Sequence, residues 1–179
     1  MSPLRGFDPQ YTVADYLQWE GDWELWDGRA VAMAPGPFAR HGAIVMRLGQ
    51  QLINGIERSN YDAEVVAEVD YIVCDTVVVR PDISVIGGPL PEKQIVQTPA
   101  LIAEVLSDST RQRDRQYKRD LYLGEGVEHY VMLDPDNNEV TWCQRREAGQ
   151  MTESVWSEPF EIEFCKECRV TIDTARLFR

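Results

Sequence analysis

Apolar residues gather most densely between positions 77 and 106, where VVVRPDISVI and ALIAEVL flank a Gly/Pro-rich interruption. Two runs of strand length, rich in Val and Ile and bounded by turn residues, predict a pair of buried sheet strands. Upstream, Ile44, Leu48, Leu52 and Ile56 recur at every fourth position and predict a helix over about 39–57, with Asn54-Gly55 weakening its last turn. Two-residue alternation in DAEVVAEVDYIV predicts one strand over 62–73. Asp27-Gly28, set between alternating runs, predicts a hairpin with strands near 23–26 and 29–34. TVADYLQW predicts a short helix with Thr12 as N-cap and Asp15 as a variant capping-box partner.

Downstream, RQRDRQYKRDLYLGEG predicts a basic helix with Lys118 near its middle and Gly124 and Gly126 as its stop. EHYVMLD then predicts a buried strand, and EVTWCQR an antiparallel partner reached through the turn Asp134-Pro135-Asp136-Asn137-Asn138. The tail alternates around 153–156 and 160–164 before VTIDTARLF, a strand or a short closing helix. Positions 87–99 form a long loop between the two central strands, and loops of this length in compact domains are often functional.

With 179 residues the chain fits one well-filled core, so residues 1–179 are expected to form a single domain. At 44% hydrophobic and 27% charged, its composition is that of an ordinary globular protein. No apolar run is long enough to span a bilayer, and MSPLRGFDPQ lacks the apolar core of a signal peptide, so no membrane partner and a cytoplasmic location are expected. Four cysteines do not make a disulfide framework. Cys165 and Cys168 form one C-x-x-C, but neither Cys74 nor Cys143 supplies a second close pair, so free thiols and no zinc are expected.

Candidate chemistry lies in the central runs, because each carries one carboxylate. Asp82 follows Pro81 inside the first, and Glu104 sits in the middle of the second between Ala103 and Val105. A buried carboxylate needs a compensating partner, and a divalent cation is the obvious one. Hard oxygen ligands favour Mg²⁺, with Mn²⁺ as a substitute. Lys118 on the next helix and Glu24 far upstream complete the parts of a metal-dependent phosphodiesterase. Each has a plainer reading: Glu24 alternates with Trp23 and Leu25 like an exposed acid on a half-buried hairpin, and Asp82 or Glu104 would serve equally as an ion-pair partner for a nearby Arg. His41, at a helix start, reads more readily as a solvated or capping residue than as a catalytic one.

A net charge of −12 weighs against a nucleic-acid partner, since phosphate binding is driven by Lys and Arg. Arg111, Arg113, Arg115, Lys118 and Arg119 nevertheless crowd one helix. They make either a local positive patch or a solvated face with Asp114 and Asp120 as partners, and the sequence favours neither.

RPDISVI followed by ALIAEVLSDSTRQRDRQYKRDLYLGEGVEHYVMLDP resembles a restriction-endonuclease-like family of bacterial domains of unknown function in the PD-(D/E)XK phosphodiesterase superfamily. The likeness extends upstream to WELWDGRAVAMAPGP and His41 and covers most of the chain before the tail. It implies an α/β fold with a restriction-endonuclease-like core, a mixed sheet flanked by helices, and Glu24, Asp82 and Glu104 as an acidic metal cluster. The superfamily pattern sets its lysine two residues after the second acid, where this chain has Leu106. The branch it resembles moves the lysine to the following helix, which carries the role to Lys118. The activity implied is that of a Mg²⁺-dependent DNA endonuclease. A catalytically degenerate nuclease fold serving as a binding or assembly module is the alternative, and action on a small phosphorylated metabolite a third. A homodimer is expected because cutting a duplex takes two strikes and some of the five Trp residues are expected at the surface.

Overall fold

The computed structural model describes residues 9–33, 39–108, 111–146, 150–164 and 168–179. Helix α1 (Val13–Tyr16) starts at its expected cap: the Thr12 amide donates to Asp15 Oδ2 at 2.9 Å, and the Asp15 amide donates back to the Thr12 hydroxyl. Strands β1 (Trp23–Trp26) and β2 (Arg29–Ala32) turn through Asp27 and Gly28, whose φ angles of 48° and 77° suit the primed turn of a tight hairpin.

Helix α2 (Ala39–Ser59) buries Ile44, Val45, Leu48, Leu52 and Ile56 along one side. It runs past Asn54-Gly55 because the glycine has a packing role: a Cβ at Gly55 would lie 2.5 Å from Val170 Cγ2.

The two long apolar runs do not form one strand each. Positions 62–73 break into β3 (Ala63–Ala67) and β4 (Tyr71–Cys74), and positions 77–86 into β5 (Val77–Val79) and β6 (Ile83–Gly87). Strands β4 and β5 join the hairpin in a four-stranded sheet of order β2-β1-β5-β4, whereas β3 and β6 pair in a second sheet. The two crossing points lie side by side, with the Glu68 amide donating to the Asp82 carbonyl at 3.3 Å. Local chemistry explains the breaks. Glu68 adopts a φ of 55°, Pro81 has no N–H for a ladder, and the Arg80 amide donates to Glu24 instead of to a strand. Asp82 therefore stands at the crossing, one residue before β6, and not inside a strand.

The second sheet adds β7 (Leu101–Val105), β8 (His129–Asp134), β9 (Glu139–Arg145) and β10 (Met151–Trp156) in the order β10-β9-β8-β7-β6-β3. Only its β7–β8 pair is parallel, so the sheet is mixed. The β7–β8 connection carries a helix over 111–124, built from α3 (Arg111–Arg113), a wider π turn (Asp114–Lys118) and α4 (Arg119–Gly124). In the tail, β11 (Phe160–Phe164) pairs with β12 (Cys168–Ile172), and α5 (Thr174–Leu177) follows, capped by Asp173, so VTIDTARLF holds both a strand and a helix.

Alternation along β7 sorts the core. Leu101, Ala103 and Val105 pack with α2 and the β11–β12 pair, while Ile102 joins Tyr122, Leu123 and Tyr130 on the opposite face. Helices thus flank the mixed sheet on both sides. Among the described residues no helix is long and apolar enough to cross a membrane. Cys74 is exposed, Cys143 and Cys168 are buried, and all three are free thiols; Cys165 lies outside the described residues.

Candidate functional site

Period-2 alternation puts Glu104 on the same face of β7 as Ile102, directly beneath the helix over 111–124. Its Oε1 accepts two hydrogen bonds, from Lys118 Nζ at 2.8 Å and from the Tyr122 hydroxyl at 3.1 Å. Its Oε2 carries no hydrogen bond among the described residues. Burial raises the Glu104 carboxyl well above its usual range, the opposing pull of Lys118 notwithstanding, and the charges of Asp82 and Asp114 push the same way as burial.

Lys118 closes the π turn, and its ammonium meets three carboxylates: Glu104 at 2.8 Å, Glu24 at 3.1 Å and Asp114 at 3.9 Å. Burial alone would discharge this lysine, but the three acids outweigh it and hold its pKa above the ordinary value, so it is a cation at neutral pH. Positions 114, 118 and 122 lie on one side of the helix, which makes Asp114 and Tyr122 neighbours of the site. Neither is a site residue by sequence reasoning, which has Asp114 only as a partner on a solvated helix face, although their spacing of four around Lys118 is the signal that finds them.

Glu24 is 5% exposed, contrary to the plain alternation argument. Both faces of β1 are covered: Leu25 packs with Tyr16 and Val78 on one side, and Trp26 packs beneath the helix over 111–124 on the other. Glu24 Oε1 accepts from the Arg80 amide at 2.8 Å and pairs with the Lys118 ammonium at 3.1 Å, and its Oε2 accepts from Trp26 Nε1 at 3.1 Å.

The β6–β7 register pairs Ile83 with Ala103, so one step further along the ladder sets Asp82 against Glu104. Asp82 Oδ2 accepts from the amide of Val105 at 2.6 Å, and its Oδ1 meets His41 Nε2 at 3.2 Å. That contact, against the cost of half-burying the ring, raises the His41 pKa. The structure therefore brings all four sequence-selected residues into one neighbourhood, Glu24, Glu104 and Lys118 in direct contact and Asp82 beside them. It also adds His41 on the far side of Asp82.

The acids that face this site, Glu24, Asp82 and Glu104, offer oxygen donors, which fits a hard divalent cation, and Glu104 Oε2 is a ligand atom without a competing donor among the described residues. No three His, Cys, Asp or Glu side chains among the described residues form a ready-made cage. Lys118 lies between Glu24 and Glu104, so Asp82 and Glu104 are the pair left to face an ion: Glu104 Oε2 has no hydrogen bond among the described residues, and each Asp82 oxygen has one partner and a further lone pair, a donor count that suits Mg²⁺ with its retained waters.

A family model named Uma2 and described as "Putative restriction endonuclease" matches residues 13–164. An uncharacterized protein of Synechocystis sp. (strain ATCC 27184 / PCC 6803 / Kazusa) is 29% identical over 161 residues, covering 83% of this chain and 80% of that protein. A crystal structure described as a "putative nuclease belonging to DUF820", from Anabaena variabilis ATCC 29413, superposes with a TM-score of 0.74 at 20% identity, covering 93% of this chain and 97% of that one. At that identity the likeness speaks for the fold, a restriction-endonuclease-like mixed sheet flanked by helices.

Proposed function

From the premise that the chain belongs to the Uma2 family, we propose that it is a Mg²⁺-dependent phosphodiesterase that cuts DNA, with Asp82 and Glu104 as metal ligands, Lys118 as the charge-stabilising group and Glu24 as the third acid. The observation that carries this reading is the convergence of a buried cation and two buried carboxylates, Lys118, Glu104 and Glu24, beside Asp82 at the crossing between two sheets. Ion triads buried this deeply are poor sources of stability, so their cost points to a functional use.

A bound Mg²⁺ supplies polarisation of the phosphodiester and a water of lowered pKa, with Mn²⁺ as a substitute. The chain's own residues do the rest. Tyr122 and Lys118 fix the rotamer of Glu104 from one oxygen and leave the other for coordination. The Val105 amide orients Asp82. Glu24, tied to the Arg80 amide and to Trp26, holds the Lys118 ammonium where charge develops on the phosphoryl oxygens or where the attacking water is oriented. Because a duplex has two strands, a homodimer with one site per strand is part of the proposal.

The test is cleavage of plasmid DNA with Mg²⁺, with Mn²⁺ and with chelator, comparing wild type with Glu104→Gln. Divalent-dependent nicking lost in Glu104→Gln supports the reading. Intact plasmid under every condition overturns it in favour of a degenerate nuclease fold used for binding or assembly, the reading that the net charge of −12 favours.

A further inference from the structure

The five cations of the helix over 111–119 divide sharply by partner. Arg111 pairs with Asp134 and Asp136. Arg115 reaches Asp134 at 3.4 Å, and Arg119 reaches Glu153 at 3.7 Å. Lys118 is held by its three acids. Arg113 alone has no carboxylate partner among the described residues, and it is exposed. Its guanidinium lies instead over the indole of Trp26, 5.6 Å from the ring centroid.

Trp26 connects this cation to the site. The indole Nε1 donates to Glu24 Oε2 at 3.1 Å, and the ring stacks with Tyr117 at 4.3 Å between centroids and 15° between planes. Tyr117 in turn precedes Lys118, and positions 113 and 117 share the side of the helix that meets Trp26. We infer that Arg113 is the phosphate-contacting residue of the substrate path, and that a nucleic-acid backbone reaches the acidic site along the Arg113–Trp26–Tyr117 side. This rests on the phosphodiesterase reading and names how its polyanionic substrate is held.

A guanidinium stacked on an aromatic face keeps its edge N–H groups free, and a planar fork matches two phosphate oxygens, so the side chain is pre-organised for a phosphodiester. In addition, an arginine already neutralised by a carboxylate releases no counterions from the backbone and adds nothing to affinity. On a chain of net charge −12, the uncompensated cation beside the site is the one that decides where a polyanion is tolerated.

The experiment is filter binding of a labelled DNA duplex across a salt series, without divalent cation so that no cutting occurs. Wild type, Arg113→Ala, Arg113→Lys and Arg115→Ala are compared, with thermal melts to establish that each is folded. One lost phosphate contact lowers the slope of log K against log salt by about 0.9 for duplex DNA. Arg113→Ala should lose that much, Arg113→Lys should keep most of it because the charge remains, and Arg115→Ala should match wild type. Equal slopes for wild type and a folded Arg113→Ala overturn the inference and leave the phosphodiesterase reading standing. Wild-type protein without DNA affinity at any salt overturns both. Inorganic phosphate that displaces the duplex at concentrations similar to the duplex's own assigns the contact to small phosphorylated ligands and overturns the backbone assignment.

Discussion

Lys118 Nζ sits 2.8 Å from Glu104 Oε1 across a sequence separation of 14, which a parallel strand, a crossover and one wide helical turn bring about. Strand β7 delivers Glu104 to the face beneath the helix. The π turn over Asp114–Lys118 then brings Asp114 and Lys118 to the buried side together, while Arg113 and Tyr117 reach Trp26. Single π turns of this kind are frequent at functional positions, where they re-aim side chains without ending the helix.

Lys118→Met keeps the length of the side chain and removes its charge. Glu24, Glu104 and Asp114 then face one another without their shared cation, and breaking a buried ion pair from one side costs about 3–5 kcal/mol. For a chain of this length that lowers the melting temperature by roughly 6–20 °C, at about 2–4 °C per kcal/mol. Calorimetric titration should show Mn²⁺ affinity at least equal to wild type in Lys118→Met and reduced affinity in Glu104→Ala, with DNA cleavage absent from both. Wild-type cleavage by Lys118→Met would remove the lysine from the chemistry.

Asp82→Asn separates ligand from structural partner. An asparagine oxygen still accepts from the Val105 amide, while the charge that repels Glu104 is gone. Without metal the variant should melt at or slightly above the wild-type temperature. A ligand at a hundredfold excess over its Kd stabilises the native state by about 2.7 kcal/mol, which here is a rise of roughly 5–11 °C for wild type in Mn²⁺. Differential scanning fluorimetry should find that rise nearly absent in Asp82→Asn. A variant that melts well below wild type without metal would make Asp82 chiefly the ion-pair partner of His41.

The parts of this fold that the sequence discloses are those whose environment is uniform along a run. Strands β7 and β8 are covered along their length and read directly from their apolar runs, and α2 from its fourfold spacing. A change of sheet within an apolar run leaves no such trace, because Val65 and Val79 are apolar whichever sheet they join. Hence 62–73 and 77–86 read as single strands, although Glu68 and Arg80-Pro81-Asp82 divide them. Glu24 reads as exposed because what covers its face of β1 comes from a helix about 90 residues later in the chain. The arginine cluster has the same limit: Asp134, Asp136 and Glu153, which neutralise most of it, are remote in sequence.

Gly55→Ala tests the seam between α2 and β12. The new methyl would stand 2.5, 2.8 and 2.9 Å from Val170 Cγ2, Cγ1 and Cβ, so the helix must move away from the strand. Overpacking of this kind costs about 1–3 kcal/mol, and the better helix propensity of alanine returns up to about 1 kcal/mol. Urea unfolding should show the net loss, and Val170→Ala in the same chain should restore part of it, since it removes the two nearer atoms and leaves the third. A single variant as stable as wild type would mean that the seam has slack.

His129 gives the fold a pH dependence of its own. The ring is fully buried against Trp142 and Phe164, and Nδ1 accepts from Trp142 Nε1 at 3.1 Å, which fixes the neutral tautomer. Burial pushes its pKa down to about 4 from an ordinary 6.5. The native state therefore resists a proton that the unfolded chain takes up, so the stability from this residue is complete above pH 6.5 and drains away as the pH falls toward 4. A shift of that size corresponds to about 3 kcal/mol. His41, the second of the chain's two histidines, is raised by Asp82 and acts with the opposite sign at higher pH, outside this window. Carboxylates also titrate near the lower end, so the measurement is the difference between wild type and His129→Phe, unfolded in urea from pH 7.5 to pH 4.5. The variant keeps an aromatic ring and loses the titration. Its stability should be lower at pH 7.5, where Trp142 has lost an acceptor, and the gap should close or reverse by pH 4.5. Parallel curves would place the His129 pKa near its ordinary value and show that the core admits the charged ring.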